Sequence, residues 1–573
     1  MRCLLLLLAI ALPLAAQETL IRQMYDPGTD THVEVLALFS KPSPGGYFPV
    51  RVKIANNINR ESTIRLNFQS SSDYDDGART ASSFAITAAP GKVLSRDLLV
   101  PINPPSGDSC MILIKTSLRG ALGEGSHNSN THSERDQPAV LLSEALFTPN
   151  ASNLDSEIQK KFSGRHGGSD EFAAKFDPKQ LPDDWRAFSG YDSVVMTDAD
   201  WSNIPPGARN AILSWLRLGG QLVIDSESSA TLTSLDLPAD SSYGSVSISP
   251  LSLTGKLDAK KLIDLVTANK VKPQQKSASV DYQSSWPLQN LFGTQTFRYG
   301  LFVAVLIIFG VLVGPVNLFV FARSGQRHKL FITTPLISLG ASLLLIALII
   351  IQDGFGGNGI RRVLMEVRPD NGLNAAHIHQ EQFSRTGVLT SAGFTIGLPA
   401  VFKPVSIGNS RWARFTNRSG GAGNFNLQSV DGKLAASGDW FQSRSEHGHI
   451  LSAVVSTRGR IERTDAPDNF LSTFEFPIQT LYYLDEDRQW HRADTIQPGK
   501  RFHLSPVDTS IAEPGLMKQA GAFAPRNRLF LTAAMNRPGH FVAITDQAPG
   551  IETHPRIKWK QTRTVITGPL DNN

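Results

Sequence analysis

Cysteine is almost absent: Cys3 and Cys110 are the only two in 573 residues, and Cys3 falls in a segment expected to be removed. The mature chain then has no second thiol to pair, which excludes a disulfide scaffold and a cysteine-rich zinc site. Cys110 opens the apolar run 110–114 and reads as a small buried hydrophobe rather than a reactive thiol. Charge is sparse as well. Charged residues make up 19%, against about a quarter in ordinary domains. Lys and Arg (56) barely exceed Asp and Glu (51) and form no block, so the pattern excludes a nucleic-acid footprint. The 46 glycines and 34 prolines are near ordinary usage, which excludes a collagen-like or broadly disordered chain. A mean hydropathy of −0.13 excludes a polytopic transporter. At roughly 100–200 residues per domain, the length implies several folding units.

Apolar runs are few, but three matter. Residues 1–16, MRCLLLLLAIALPLAA, have one cation, a short apolar core and small residues at the end, the pattern of a secretory signal peptide. Cleavage is expected after Ala16; Leu14 at the third position before the cut leaves an uncleaved anchor open. Residues 299–321 and 330–351 contain no charge, and each exceeds the roughly 20 residues needed to cross a hydrocarbon core of about 30 Å. The link between them carries Arg323, Arg327 and Lys329 and no acid, which suits a cytoplasmic face. A leader followed by two crossings places residues 17–298 and the C-terminal region on the same, extracytoplasmic side. Within the spans, Gly310, Gly314, Asn317, Thr333, Thr334, Ser338, Gly340 and Ser342 are expected to pack the hairpin on itself; docking to helices of another membrane protein is the alternative. Neither span carries Asp, Glu, Lys or Arg, so an ion path lacks its usual groups.

Between the leader and the spans the pattern changes once. Short β-rich runs at 32–39, 47–55, 62–69, 83–88, 92–100 and 110–117 predict an immunoglobulin-like antiparallel sandwich over residues 17–133. Residues 123–137, rich in Gly, Ser and Asn, read as a linker. From about 139, buried strands (Val140-Leu-Leu, Ser193-Val-Val-Met, Gln221-Leu-Val-Ile) alternate with helices at 153–162, 206–218 and 256–269. That alternation predicts a three-layer α/β domain on a parallel sheet over 134–275. Residues 276–298 then read as a polar linker, 299–351 as the hairpin, and 353–359, with Gly354, Gly356 and Gly357, as a flexible exit. The remainder, 352–573, is predicted mainly β, with candidate strands at 362–367, 394–397, 450–457, 480–484, 501–504, 541–545 and 562–567, little helical periodicity, and a weak region near 506–525.

Ligands of open parallel sheets bind beyond the carboxyl ends of the strands. Asp198 and Asp200 follow one strand there, and Asp225, Ser226 and Glu227 another. Four carboxylates at one edge suit a hard divalent cation, or else they cap turns and helices. An Asp-x-Ser-x-Ser metal motif fails at residue 227, which is Glu. Elsewhere, His377/His379 and His447/His449 could put two imidazoles on one strand face, suitable for zinc with a third ligand; surface or edge-strand histidines are the expected alternative. No cofactor is implied.

The stretch Tyr191-Asp192-Ser-Val-Val-Met-Thr-Asp198 with Ile212-Leu-Ser-Trp215-Leu-Arg-Leu-Gly219-Gly220-Gln-Leu-Val-Ile-Asp225 resembles the class I glutamine-amidotransferase-like superfold. The resemblance implies a Cys nucleophile on a strand-to-helix elbow with His and Glu partners. None is present: residues 220–230 hold no Cys, Ser226 lacks flanking glycines, and no His follows before the spans, so a degenerate, non-catalytic copy is expected. Gly314-Pro315-Val-Asn317, the basic link, Thr334-Pro335 and Asp353-Gly-Phe-Gly-Gly, with Gly438-Asp-Trp440-Phe-Gln-Ser-Arg444, resemble uncharacterised bacterial envelope membrane proteins that join a sandwich, such a domain, a hairpin and a β-rich tail. The expectation is a non-enzymatic, membrane-anchored envelope protein that binds membrane or envelope proteins or envelope polymers. The alternatives are an envelope hydrolase or metal-dependent enzyme using the carboxylate edge, and a transmembrane sensor.

Overall fold

The architecture is that of a computed structural model, which describes residues 18–71, 79–102, 109–134, 137–161, 173–226, 231–238, 243–253, 256–268, 286–293, 299–322, 324–370, 373–405, 423–430, 433–464 and 469–570. The leader 1–16, the side chain of Cys110, Glu227, Arg323 and most of the expected linker 276–298 lie outside the described residues. The chain forms two compact units, Met1–Ser277 and Ala278–Asn573.

In the first unit, Glu18–Asp26, Thr31–Ala37, Tyr47–Asn56 and Lys92–Pro101 make one antiparallel sheet. Arg79–Ala88, Ser62–Ser71, Ser109–Gly120 and Gly125–Glu134 are hydrogen-bonded in that order, also antiparallel. Strict alternation places Ile64, Leu66 and Phe68 inward, where they share one apolar core with Val33, Val50, Val52 and Ile54 of the other sheet. The expected linker at 123–137 is corrected here: Gly125–Glu134 is a full strand paired with Ser109–Gly120. Its inward positions include Ser129 and Thr131, short side chains that carry no hydropathy signal yet fit a half-buried pleat.

The α/β part is a five-stranded sheet, Ala173–Phe176, Val140–Ser143, Ser193–Thr197, Gln221–Asp225 and Ser245–Ser249 in spatial order, parallel throughout. Numbered along the chain the order is 2-1-3-4-5, a doubly wound arrangement. Burial on both faces explains the continuous apolar runs. Val140, Leu142, Val195 and Val223 pack against Leu154 and Ile158 of helix Ala151–Lys161 and Leu262 and Val266 of helix Ala259–Thr267. That last helix starts three residues later than expected, because Lys256–Leu257 pairs with Ser252–Leu253. Phe39, from the sandwich region, meets Phe176, Phe188 and Tyr191 at ring-centroid distances of 6.5, 5.7 and 5.6 Å. Sandwich and parallel sheet are therefore joined by an aromatic core rather than by a loose link.

The second unit is β-rich. Its largest sheet runs Ala400–Val405, Glu446–Ser456, Leu373–Thr386, Gly357–Asp370, Ile557–Pro569, His540–Thr545, Ile478–Leu484, Trp490–Ile496 and Ser505–Val507; only Gly357–Asp370 with Ile557–Pro569 is parallel. The region near 506–525, expected to be weakly structured, instead holds helix Thr509–Ala520, followed by Pro525–Met535. Asp508 caps the first by accepting from Ser510 N–H at 2.7 Å, and Ala512, Leu516 and Ala520 form its buried stripe. Alanines and an internal Pro514 hid that stripe from a hydropathy reading.

Two apolar helices complete the unit, Gly300–Phe321 and Arg327–Asp353, with mean hydropathies of 2.6 and 2.5. Almost none of either is buried inside the protein, and each is long and apolar enough to cross a membrane. Leu312–Phe321 is π-helical around Pro315. Asn317 is fully buried: its amide donates to Thr334 Oγ1 at 2.9 Å and its carbonyl accepts from Thr333 Oγ1 at 2.6 Å. These polar bonds close the hairpin, whereas Gly310, Gly314 and Gly340, expected to pack it on itself, have open space at their Cα atoms.

Candidate functional site

The carboxyl edge of the parallel sheet is where its topology places a ligand. Thr197 and Asp225 lie in register at the ends of adjacent strands, which brings Asp198 and Ser226 side by side. Ser226 Oγ donates to Asp198 Oδ2 at 2.7 Å, and Asp198 Oδ1 accepts from Ala199 N–H at 2.7 Å. Asp200 closes a capping box on helix Asp198–Asn203: Thr197 Oγ1 accepts from Asp200 N–H at 3.0 Å, and Asp200 Oδ2 from Thr197 N–H at 3.2 Å. Asp225 is 5% exposed. Its Oδ1 accepts from Leu251 N–H at 2.7 Å and Ser252 N–H at 3.1 Å, and its Oδ2 from the Ser252 hydroxyl. All three described carboxylates thus accept hydrogen bonds from their own chain. Among the described residues, no three His, Cys, Asp or Glu side chains gather as a metal site; Glu227 lies outside them. The strand order shows what the sequence did not: the switch point falls between Val140–Ser143 and Ser193–Thr197, so Ser143 and Glu144 flank the crevice. Strand order is a long-range property with no local signal.

The histidine pairs lie elsewhere than expected. His377, His379 and His449 are 0%, 3% and 2% exposed, and their strands are interior to the large sheet, which corrects the surface or edge placement. His449 Nε2 bonds the Trp440 carbonyl at 2.9 Å and its Nδ1 meets the Gln382 amide at 3.3 Å, a neutral imidazole used as donor and acceptor. Burial holds its pKa well below the usual histidine value, and burial likewise pushes His447 down to about 4. His447 Nε2 accepts from Gln442 N–H at 2.9 Å. Phe402 and Phe441 flank His449 at 4.8 and 4.7 Å.

His377, His379, Glu381, Phe383 and Arg385 share one strand face, and the facing register pairs Arg362 with Glu381 and Glu366 with His377. Glu381 is completely buried. Its carboxylate accepts from Trp286 Nε1 at 3.1 Å, Ala524 N–H at 3.0 Å and Asn527 Nδ2 at 2.7 Å. Burial raises its pKa, opposed by the bonds from Trp286, Asn527 and Ala524. Glu366 pairs with Arg368 at 3.0 Å and Arg537 at 3.6 Å. Sequence reasoning missed this row because residues 377–386 are polar at every position but Ile378 and Phe383 and so show no strand pattern; helix Pro525–Met535 and residues 286–293 cover it.

Helix Pro287–Phe292 also revises the expected linker. Trp286 and Leu288 pack with Ile360, Phe383 and Val405, and Gly448 is needed beneath the indole, since a Cβ there would come 2.4 Å from its ring. Arg385 donates to the Gly293 carbonyl at 2.9 Å and to Glu446 at 2.6 Å. The segment before the first apolar helix is thereby fixed to the sheet that the second apolar helix feeds. That second junction is ordered, not flexible. Gly354 and Gly356 adopt φ of 72° and 80°, which glycine alone adopts readily. Val388 N–H donates to Gly354 O at 2.9 Å, Gly357 N–H to Arg556 O at 3.0 Å, and Arg444 forms an ion pair with the buried Asp353 carboxylate.

No protein family and no curated protein matches the chain. Among solved structures, a Paenibacillus sp. cycloisomaltooligosaccharide glucanotransferase is 15% identical over 28% of this chain and 19% of its own, with a TM-score of 0.15. A Bacteroides uniformis beta-glucuronidase 2 variant is 10% identical over 36% and 24%, with a TM-score of 0.16. The chain therefore spans a quarter or less of either.

Proposed function

We propose that this protein is a non-enzymatic anchor of the bacterial envelope: a two-pass inner-membrane protein whose large regions face away from the cytoplasm and bind membrane proteins, envelope proteins or envelope polymers. The observation that carries the reading is the pair of junctions on one sheet. Residues 286–293 before the first span and 354–370 after the second pack together through Trp286, Phe383 and Ile360, so both junctions belong on one side of the bilayer. The basic link with Arg327, His328 and Lys329 belongs on the other, where cations favour the cytoplasm. The parallel-sheet region is read as a degenerate glutamine-amidotransferase-like domain and the N-terminal sheets as immunoglobulin-like. Support for the non-enzymatic half of the reading comes from Asp198, Asp200 and Asp225, whose carboxylates hold caps and turns of their own chain.

The test is photo-crosslinking from residues of both regions in intact membranes, with hydrolysis of envelope polymers by the purified full chain assayed alongside. Discrete crosslinked species and no hydrolysis are expected. Hydrolysis that Asp198→Ala abolishes at unchanged protein abundance contradicts the reading.

A further inference from the structure

Three large apolar side chains at the junctions are exposed: Leu291 at 54%, Ile351 at 80% and Phe355 at 68%. Leu291 lies on the helix bound to the sheet through Trp286 and Leu288, whereas Ile351 and Phe355 bracket the Asp353–Arg444 pair. Length sets their depth. Helix Leu330–Asp353 has 24 residues, about 36 Å at 1.5 Å per residue, against a hydrocarbon core of about 30 Å. Its last turn therefore emerges into the headgroup zone, where a charge pair is tolerated and Phe and Leu side chains bury at the headgroup–acyl boundary.

We propose that Leu291, Ile351 and Phe355 form an apolar collar that enters the interfacial layer of the extracytoplasmic leaflet, so that the C-terminal β region sits on the lipid surface in a fixed orientation. The partner is the bilayer itself, because Ile351 lies in the last turn of the second apolar helix, Phe355 follows it by four residues, and the Arg385–Gly293 bond holds the Leu291 helix at the same end of the sheet. The rigid junctions make the seat definite: neither Leu291 nor Phe355 can withdraw without breaking the Trp286–Glu381 bond or the Gly354–Gly357 turn. The inference rests on the reading of the two helices as membrane spans.

The experiment uses the full chain, with Cys3 and Cys110 replaced by Ala, in nanodiscs of phosphatidylethanolamine and phosphatidylglycerol. Nitroxide labels are placed singly at Leu291→Cys, Phe355→Cys, mid-span Leu306→Cys and Val93→Cys, all exposed positions that accept a label, and relaxation by oxygen is compared with relaxation by a water-soluble nickel chelate. The collar predicts an oxygen-to-nickel ratio several-fold above that of Val93 at both Leu291 and Phe355, and highest at Leu306. Water-like ratios at Leu291 and Phe355 with lipid-like Leu306 overturn the collar and leave the spans standing. Shielding of both from either reagent overturns it in favour of a protein cover. A water-like Leu306 overturns the spans themselves.

Discussion

Trp286 donates its indole N–H to Glu381 across 3.1 Å, tying the approach to the first span to the middle of the largest sheet. The same carboxylate receives Ala524 N–H and the Asn527 amide, so it also holds the start of helix Pro525–Met535. Glu381→Leu strands three buried donors, each costing about 1–3 kcal/mol. Thermal melts in detergent should show a large loss for Glu381→Leu, a smaller one for Trp286→Phe, and a double variant less destabilised than the sum. Strict additivity would separate the two residues and contradict the shared bond.

Acid sensitivity follows from His447 and His449. Burial depresses both, His447 to about 4 from 6.5, so the folded state binds fewer protons than the unfolded chain across that window. Their contribution is present above about 6.5 and is lost as pH falls toward 4. His449→Gln should give a shallower stability profile between those limits than the parent chain. An unchanged slope would show that the histidines are not protonated on unfolding.

Between the two apolar helices, Asn317 bonds Thr333 and Thr334. A cycle of Asn317→Leu, Thr333→Val and both should return a coupling of about 1 kcal/mol in steric-trapping measurements. Zero coupling would mean that lipid-facing contacts alone hold the hairpin.

At the parallel-sheet edge, Asp225→Ala removes the acceptor for Leu251 N–H, Ser252 N–H and the Ser252 hydroxyl and should cost roughly 1–3 kcal/mol. Thr197→Ala removes the N-cap oxygen of the capping box and should cost about 1 kcal/mol. Added Mg²⁺ or Ca²⁺ should leave the melting temperature of the parent chain unchanged. A rise that Asp225→Ala abolishes would assign the edge to a metal.

The two long apolar helices were legible because each is a contiguous uncharged segment. The buried strands around Val140, Val194 and Leu222 were legible because burial on both faces leaves no polar position. Gly125–Glu134 was not, since Ser129 and Thr131 fill inward positions without an apolar signature. The row His377, His379 and Glu381 was missed for a different reason: residues 377–386 are polar at all but Ile378 and Phe383 and give no strand pattern, and the donors on Glu381 come from the distant residues Trp286, Ala524 and Asn527. At the sheet edge the aspartates were visible, but their donors Leu251, Ser252 and Ser226 were paired with them by strand order, which no local pattern encodes.

Sidedness tests the account most directly. Paired alkaline phosphatase and green fluorescent protein fusions after Asn573 and within the link at Gly325 report which compartment each point occupies. The account predicts phosphatase activity without fluorescence after Asn573, and fluorescence without phosphatase activity at Gly325. Fluorescence after Asn573 would place the C-terminal β region in the cytoplasm and contradict the anchor.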